Sequence, residues 1–359
     1  MKRIYLRCGL IVFLLLWIII GQYSLHHNEA FLVFYVRHIF LPIQSWRSSL
    51  LNNVPISVGD LIYLLLALLL LVILIRIFYF LVTFKKNKQD LFVEILRLIE
   101  LPLGIYFIFL LFWGGNYARK PLSANWNLKE LQWDSAALVS LNQSLVAHMN
   151  REQLQPLVYS GLEVTNSIAN TLYRQHFGNR LPVLKVKPTS LGYMLNYLGI
   201  QGYYNPISGE GQFNRFIPAF MHPFVVCHEM AHQAGIAAED DANLIAYVLG
   251  SESSNPAFRY SAYFNLFLYA YSDLQLRDSL SARNIFSSLN QQSKNDLDTL
   301  RAMNRRYRSK LRGLSTSLYD EYLRMHGQQE GINTYSDVTR WAYFWEQVGK
   351  KKADLIVCP

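Results

Sequence analysis

Charge is scarce in this chain of 359 residues: Asp, Glu, Lys and Arg make up 16% of it, well below the share usual for soluble domains. Cysteine is scarcer still. Cys8, Cys227 and Cys358 are too few and too dispersed for a disulfide framework. No internal repeat or low-complexity tract is present, which sets aside solenoid and collagen-like architectures. Acidic side chains number 25 against 34 basic ones. The surplus of +9 sits in short loops and one basic helix, so it does not call for nucleic acid.

What the chain has instead is apolar surface. Hydrophobic residues make up 52% of it, concentrated toward the N-terminus. Three runs stand out: "CGLIVFLLLWIIIGQYSL" (8–25), "LIYLLLALLLLVILIRIFYFLVTF" (61–84) and "LPLGIYFIFLLFWGGNY" (101–117). Each is close to the roughly 20 residues that cross a bilayer, and the second is apolar all round, as a buried core helix need not be. Its single charge, Arg76, must snorkel or face a neighbouring helix. The first run follows Lys2, Arg3 and Arg7, as a signal peptide does, but it is long and no small-x-small cleavage site follows, so it reads as an uncleaved anchor.

Short-loop charge sets the expected orientation. Lys2, Arg3 and Arg7 precede the first run, and Lys85, Lys86 and Lys88 separate the second from the third; both segments should be cytoplasmic. The loop over 26–60 then lies outside, as does everything after Tyr117. The sequence thus predicts a membrane anchor over 1–118 and an extracytoplasmic domain over 119–359, large enough to form a core without disulfides.

In that domain the early segments read as helices. "LPVLKVKPT" (181–189) reads as a short strand, and "GYYNPISGEGQFN" (202–214) as a loop or hairpin with an edge strand near Gly211 to Asn214. Pro223 suits the first helical position, with His222 as its cap, and Gly235 ends that helix. Helices are expected next over about 239–250, 256–276, 296–311, 315–326 and 336–351. The basic helix "LDTLRAMNRRYRSKLRG" carries an apolar stripe of Leu297, Leu300, Tyr307 and Leu311. Its arginines read as a solvated face, with anionic headgroups as the other option.

The chemistry centres on "PFVVCHEMAHQAGIAAEDDANLIAY" (223–247). On a helix, His228 and His232 differ by about 40° and Glu229 flanks their face. That spacing lets two imidazoles hold one zinc while the carboxylate reaches the water beside it. A third ligand is needed. After Gly235 the chain can fold back and bring Glu239 under the histidines, with Asp240 and Asp241 as alternatives. Asn243, one turn after Glu239, could hold a ligating histidine from behind. Glu229 would take the water's proton and pass it to the leaving amine. Tyr204, His222 and Tyr335 are candidate oxyanion donors, and Glu210 a candidate cleft residue.

"HEMAH" resembles the motif of the zincin metallopeptidases. "HEMAHQAG" resembles the opening of the metzincin pattern, but Ala238 stands where that pattern has a third histidine. "E-x-x-A-N" resembles the Glu-x-x-Ala-Asp element of the gluzincin membrane proteases, with Asn243 in place of the aspartate and a much shorter gap from the histidines. More of the chain, through "WGGNYARKPL", "GYYNPISGEGQFN", "CHEMAHQAGIAAEDDANLIAY" and "YSDV", resembles a bacterial membrane family called only domain of unknown function 3810. The resemblance implies a mainly helical chain: three transmembrane helices, then a zincin-like α+β domain with an HExxH active-site helix. It further implies a membrane-anchored zinc metalloendopeptidase, without supplying a substrate. With the orientation set by loop charge, in a bacterial inner membrane with the domain periplasmic, the expected substrates are peptides or proteins of the cell envelope. The alternative is a non-catalytic membrane scaffold or receptor with a structural or vestigial metal site.

Overall fold

The computed structural model describes residues 1–128, 130–154, 156–325 and 335–348. The chain forms two compact units. One comprises Met1–Arg119 with Asn205–Glu210, the other the described residues of Lys120–Tyr204 and of the stretch from Gly211 to Val348.

The first unit contains α1 (Lys2–His27), α2 (Glu29–Phe34), α3 (Leu41–Leu51), α4 (Val58–Val82) and α5 (Phe84–Phe112), with one turn and a half of π-helix over Tyr35–Phe40 joining α2 to α3. Three stretches are long and apolar enough to cross a membrane: Lys2–His27, Val58–Val82 and Lys86–Phe112. Only 6% of the most apolar part of α4 is buried, so its leucines face outward, as they would toward lipid. α5 packs against both α1 and α4.

Several charges in these helices are paired. Arg76 of α4 donates to Glu94 of α5 at 2.8 Å, and Arg97 donates to the same carboxylate at 2.6 Å. Arg7 of α1 pairs with Glu100. Arg76 therefore faces a neighbouring helix, which relieves the cost of an unpaired charge in a low-dielectric setting.

Two boundaries differ from the sequence reading. The segment expected as an outer loop, 26–60, is largely helical, because the π-helical stretch buries Val36 and Phe40 and α3 buries Gln44 and Arg47. The third apolar helix begins earlier and ends at Phe112, not Tyr117. Trp113 leaves helical geometry, and Gly114 and Gly115 sit so close to the rings of Phe109 and Tyr35 that a Cβ on either would approach to 2.5–2.6 Å. Within this unit Arg47 donates to the carbonyls of Pro206 and Ile207 at 2.6 and 3.1 Å, and Gln44 donates to that of Gly209 at 2.8 Å.

The second unit is helical around a small sheet. Its helices are α6 (Leu122–Asn125), α7 (Ser135–Glu152), α8 (Leu162–Phe177), α9 (Gly192–Leu198), α10 (His222–Gln233), α11 (Glu239–Glu252), α12 (Pro256–Arg277), α13 (Ser279–Ser288), α14 (Gln291–Arg306), α15 (Lys310–Met325) and α16 (Tyr335–Val348). The strands are β1 (Val186–Pro188), β2 (Gly202–Asn205) and β3 (Glu210–Phe213), in the order β1-β3-β2. β1 runs parallel to β3, with Val186 opposite Gly211. The expectation of an edge strand at Gly211 is therefore corrected: β3 is the middle strand, because β1 arrives from a distant part of the sequence to cover its free side.

The core gathers where α10, α11 and α12 meet, with α7, α8 and α16 around them. Leu138, Met149, Val226, Met230, Ile245, Phe264 and Trp345 are fully enclosed there. Late helices start at residues other than those expected. Asn290, not Asp296, caps α14 by accepting from the Ser293 amide, while Asp296 is buried and accepts from the Tyr260 hydroxyl. Ser309, not Ser315, accepts from the Arg312 amide at the start of α15. Leu297, Leu300 and Tyr307 of the basic stretch are buried, and Arg305 and Arg306 remain on its exposed face.

Candidate metal centre

α10 is set in place before any chemistry is considered. Pro223 lies in its first turn, and the free amide of Phe224 donates to Ser261 Oγ at 3.1 Å. Val225, Val226, Cys227, Met230 and Ala231 fix its apolar side in the core. Tyr173 of α8 donates to the Cys227 carbonyl at 2.7 Å. Gly235 ends the helix with φ +83, a backbone conformation that favours glycine. The amide of Ile236 then bonds the Ala231 carbonyl at 3.0 Å, and the amide of Gly235 bonds that of His232.

This turn has a chemical consequence. His232 Nδ1 lies 2.8 Å from the Ile236 carbonyl. A carbonyl can only accept, so Nδ1 carries the hydrogen, and in the neutral ring Nε2 keeps its lone pair. His228 Nε2 lies 3.2 Å from His232 Nε2. Glu239, at the start of α11, closes the group: one carboxylate oxygen is 3.2 Å from His228 Nε2 and the other 3.4 Å from His232 Nε2. These three side chains could hold a metal ion. With one atom taken from each residue the three donors lie within 4.8 Å of one another, close enough to converge on one small divalent cation.

The acid next to His228 is buried differently. Glu229 is 3% exposed, and its Oε2 has no hydrogen-bond partner. Burial dominates and pushes its carboxyl up to about 7, against the pull of the two imidazoles. Glu239 is buried as well, but there the imidazoles facing it outweigh the burial and hold its carboxyl well below the usual range. Burial opposes a charged His232, yet the Glu239 carboxylate brings it up to about 9. Two neighbouring carboxyls are thus driven in opposite directions by their surroundings.

Of the other residues singled out, Asp241 turns away and accepts from the Leu122 amide at 3.0 and 3.1 Å, where it starts α6. Asp240 is raised to about 6, mainly by burial. Asn243 is buried, with its amide nitrogen unpartnered, as is Nδ1 of His228. The Tyr204 ring lies 6.4 Å from that of His232, centre to centre. His222 is inside α10 rather than capping it and contacts the Ile217 carbonyl at 3.0 Å; its burial lowers its pKa. Glu210 accepts from the Gly59 amide at 2.7 Å within the first unit, at the start of α4, and is not brought to the histidines. Tyr335 begins α16, and its side chain lies outside the described residues.

Sequence reasoning missed two glycines. A Cβ on Gly202 would lie 2.5 Å from Glu229 Oε1, and one on Gly211 would lie 3.2 Å from Glu229 Cβ. The β2 and β3 backbones thus form the wall behind the carboxylate. The density of glycine in "GYYNPISGEGQFN" was a signal, but of a turn; which side chain needed the room was not legible.

A chain with three helices apt for a membrane and a largely buried His-His-Glu cluster in a second, helical unit is a membrane protein with a candidate metal centre. It belongs to the family described as Protein of unknown function (DUF3810), which it matches over residues 35–343. No curated protein and no solved structure gives a significant match.

Proposed function

We propose that the protein is a membrane-anchored zinc metalloendopeptidase with a zincin-like domain. The observation that carries this reading is the set of three donors, His228, His232 and Glu239, whose ligand atoms lie within 4.8 Å of one another, beside the Glu229 carboxyl with its unpartnered Oε2. Two imidazoles and one carboxylate are a donor set that suits zinc and leaves a fourth position open. When bound there, zinc supplies a Lewis acid that polarises a substrate carbonyl and acidifies a water.

The remaining work falls to the chain's own groups. The Ile236 carbonyl fixes the His232 tautomer and aims Nε2 at the site. Glu229, buried beside the three donors, accepts the proton of the attacking water and returns it to the leaving amine. Gly202 backs its Oε1 and Gly211 its Cβ, and Oε2 has no hydrogen-bond partner. The substrate class is a peptide or protein of the cell envelope. With basic residues flanking the first two apolar helices, the N-terminus is cytoplasmic and the domain periplasmic, in a bacterial inner membrane.

The test is elemental analysis and peptide hydrolysis with the purified full-length protein. Wild type carries stoichiometric zinc. His228→Ala and Glu239→Ala lose it, while Asp241→Ala keeps it. Glu229→Gln keeps zinc and loses activity by about 10² or more. Zinc-loaded wild type that cleaves nothing in a broad peptide library overturns the reading.

A further inference from the structure

α15 is apolar on two sides. Its inner side is seated on the second unit: Leu323 is fully buried, Ser309 Oγ donates to the Tyr197 carbonyl at 2.7 Å, and Arg312 lies over Gly199. Its outer side carries Leu311, Leu314, Leu318 and Met325, each 57–68% exposed. At about 100° per residue these four fall within a sector of about 60°, roughly opposite Leu323. A helix that only had to rest on its own domain would present polar residues outward. This one presents Leu311, Leu314 and Leu318 in a row, with Met325 two turns further on and exposed Glu321 at the edge of the stripe between them.

The charge around the stripe is one-sided. Residues 301–325 hold seven basic and two acidic side chains. Arg305, Arg306, Arg308 and Lys310 are all exposed, at the end of α14 and the start of α15. One of the two acids, Asp320, is already engaged by Arg324 at 2.8 Å. An apolar stripe with cations at its rim is the chemistry of a helix lying in the headgroup region of an anionic bilayer: the leucines enter the acyl boundary and the cations meet phosphate. The chain carries three helices apt for a membrane, so a lipid surface is always within its reach.

We infer that α15, with the basic end of α14, is an interfacial helix that docks the second unit on an anionic phospholipid surface. It does not depend on the metal site or on any hydrolysis.

The test uses the full chain in liposomes, with Cys8 and Cys358 replaced by serine and an environment-sensitive probe on Leu318→Cys. In phosphatidylglycerol vesicles the probe is quenched by lipid-borne quenchers and protected from aqueous iodide. In neutral phosphatidylcholine that protection falls. Arg308→Gln with Lys310→Gln lowers the docked-to-free ratio by roughly fivefold per charge removed, and Leu314→Asp abolishes docking. A probe open to iodide in both lipids, at the same level, overturns the inference. So does protection that tracks protein density and comes with Leu318→Cys cross-links between copies, which would assign the stripe to self-association.

Discussion

Gly202 shows how little room the Glu229 carboxyl has. A methyl there would meet Glu229 Oε1 at 2.5 Å and the Gln212 carbonyl at 2.8 Å. Gly202→Ala should lower stability by about 1–3 kcal/mol and displace Glu229, which a thermal melt and an activity assay on one preparation would both register. Gly313→Ala is the control, since nothing lies within 4 Å of its Cβ; an equal loss there would show that the close approach is not the cause. Cys227 makes the opposite point about proximity. It abuts His228 but is enclosed, and burial pushes its thiol up to about 12 from 9.0. A raised thiol pKa means the folded state holds its proton longer than the unfolded state. The stability it contributes is therefore present below about pH 9 and is lost as pH rises toward 12. At about pH 8 the native Cys227 should resist alkylation that it undergoes in denaturant; rapid labelling of the native protein, read by mass spectrometry, would contradict this.

At the scale of elements, helix phase explains the division of labour among three adjacent acids. Glu239 and Asp241 are about 200° apart on α11. One returns to the histidines and the other reaches the Leu122 amide. The sequence left these acids open because phase depends on where α11 begins, and that is set by the turn after Gly235. The pairing of β1 with β3 was illegible for a related reason: strands this short carry little periodicity, and their partner lies some twenty-five residues away. Among the apolar helices, Glu94 accepts from both Arg76 and Arg97 and is 1% exposed. Glu94→Ala should cost about 1–3 kcal/mol by removing the shared acceptor of two part-exposed cations. A melting temperature in detergent unchanged from wild type would show that the triad contributes nothing.

For the whole molecule, orientation is the property most open to direct measurement. In cells with a permeabilised outer barrier and Cys8 replaced by serine, Cys358 should react with a membrane-impermeant thiol reagent. It lies outside the described residues, so the expectation rests on the charge rule for the flanking loops. Labelling that requires lysis of the inner membrane would reverse the topology. The division into two units was only partly legible. A boundary just after the third apolar helix follows from composition, but residues Asn205–Glu210 belong with the first unit. Their carbonyls meet Gln44 and Arg47, two buried polar residues in a stretch whose sequence suggests a solvated loop.

The sequence by itself determined what local spacing and composition can encode. Long apolar runs need no partner to declare a membrane helix, and an i,i+4 pair of histidines shares a helix face wherever that helix lies. The helix stop at Gly235 is local too, because one residue must take a positive φ. The tertiary structure decided what depends on distant segments meeting. It brought Glu239 rather than Asp241 to the histidines, sent Glu210 to the start of α4, put β3 in the middle of its sheet, and enclosed Glu229 behind two glycines. Burial, register and the pairing of charges are set by the packing of remote segments, and no window of sequence contains both partners.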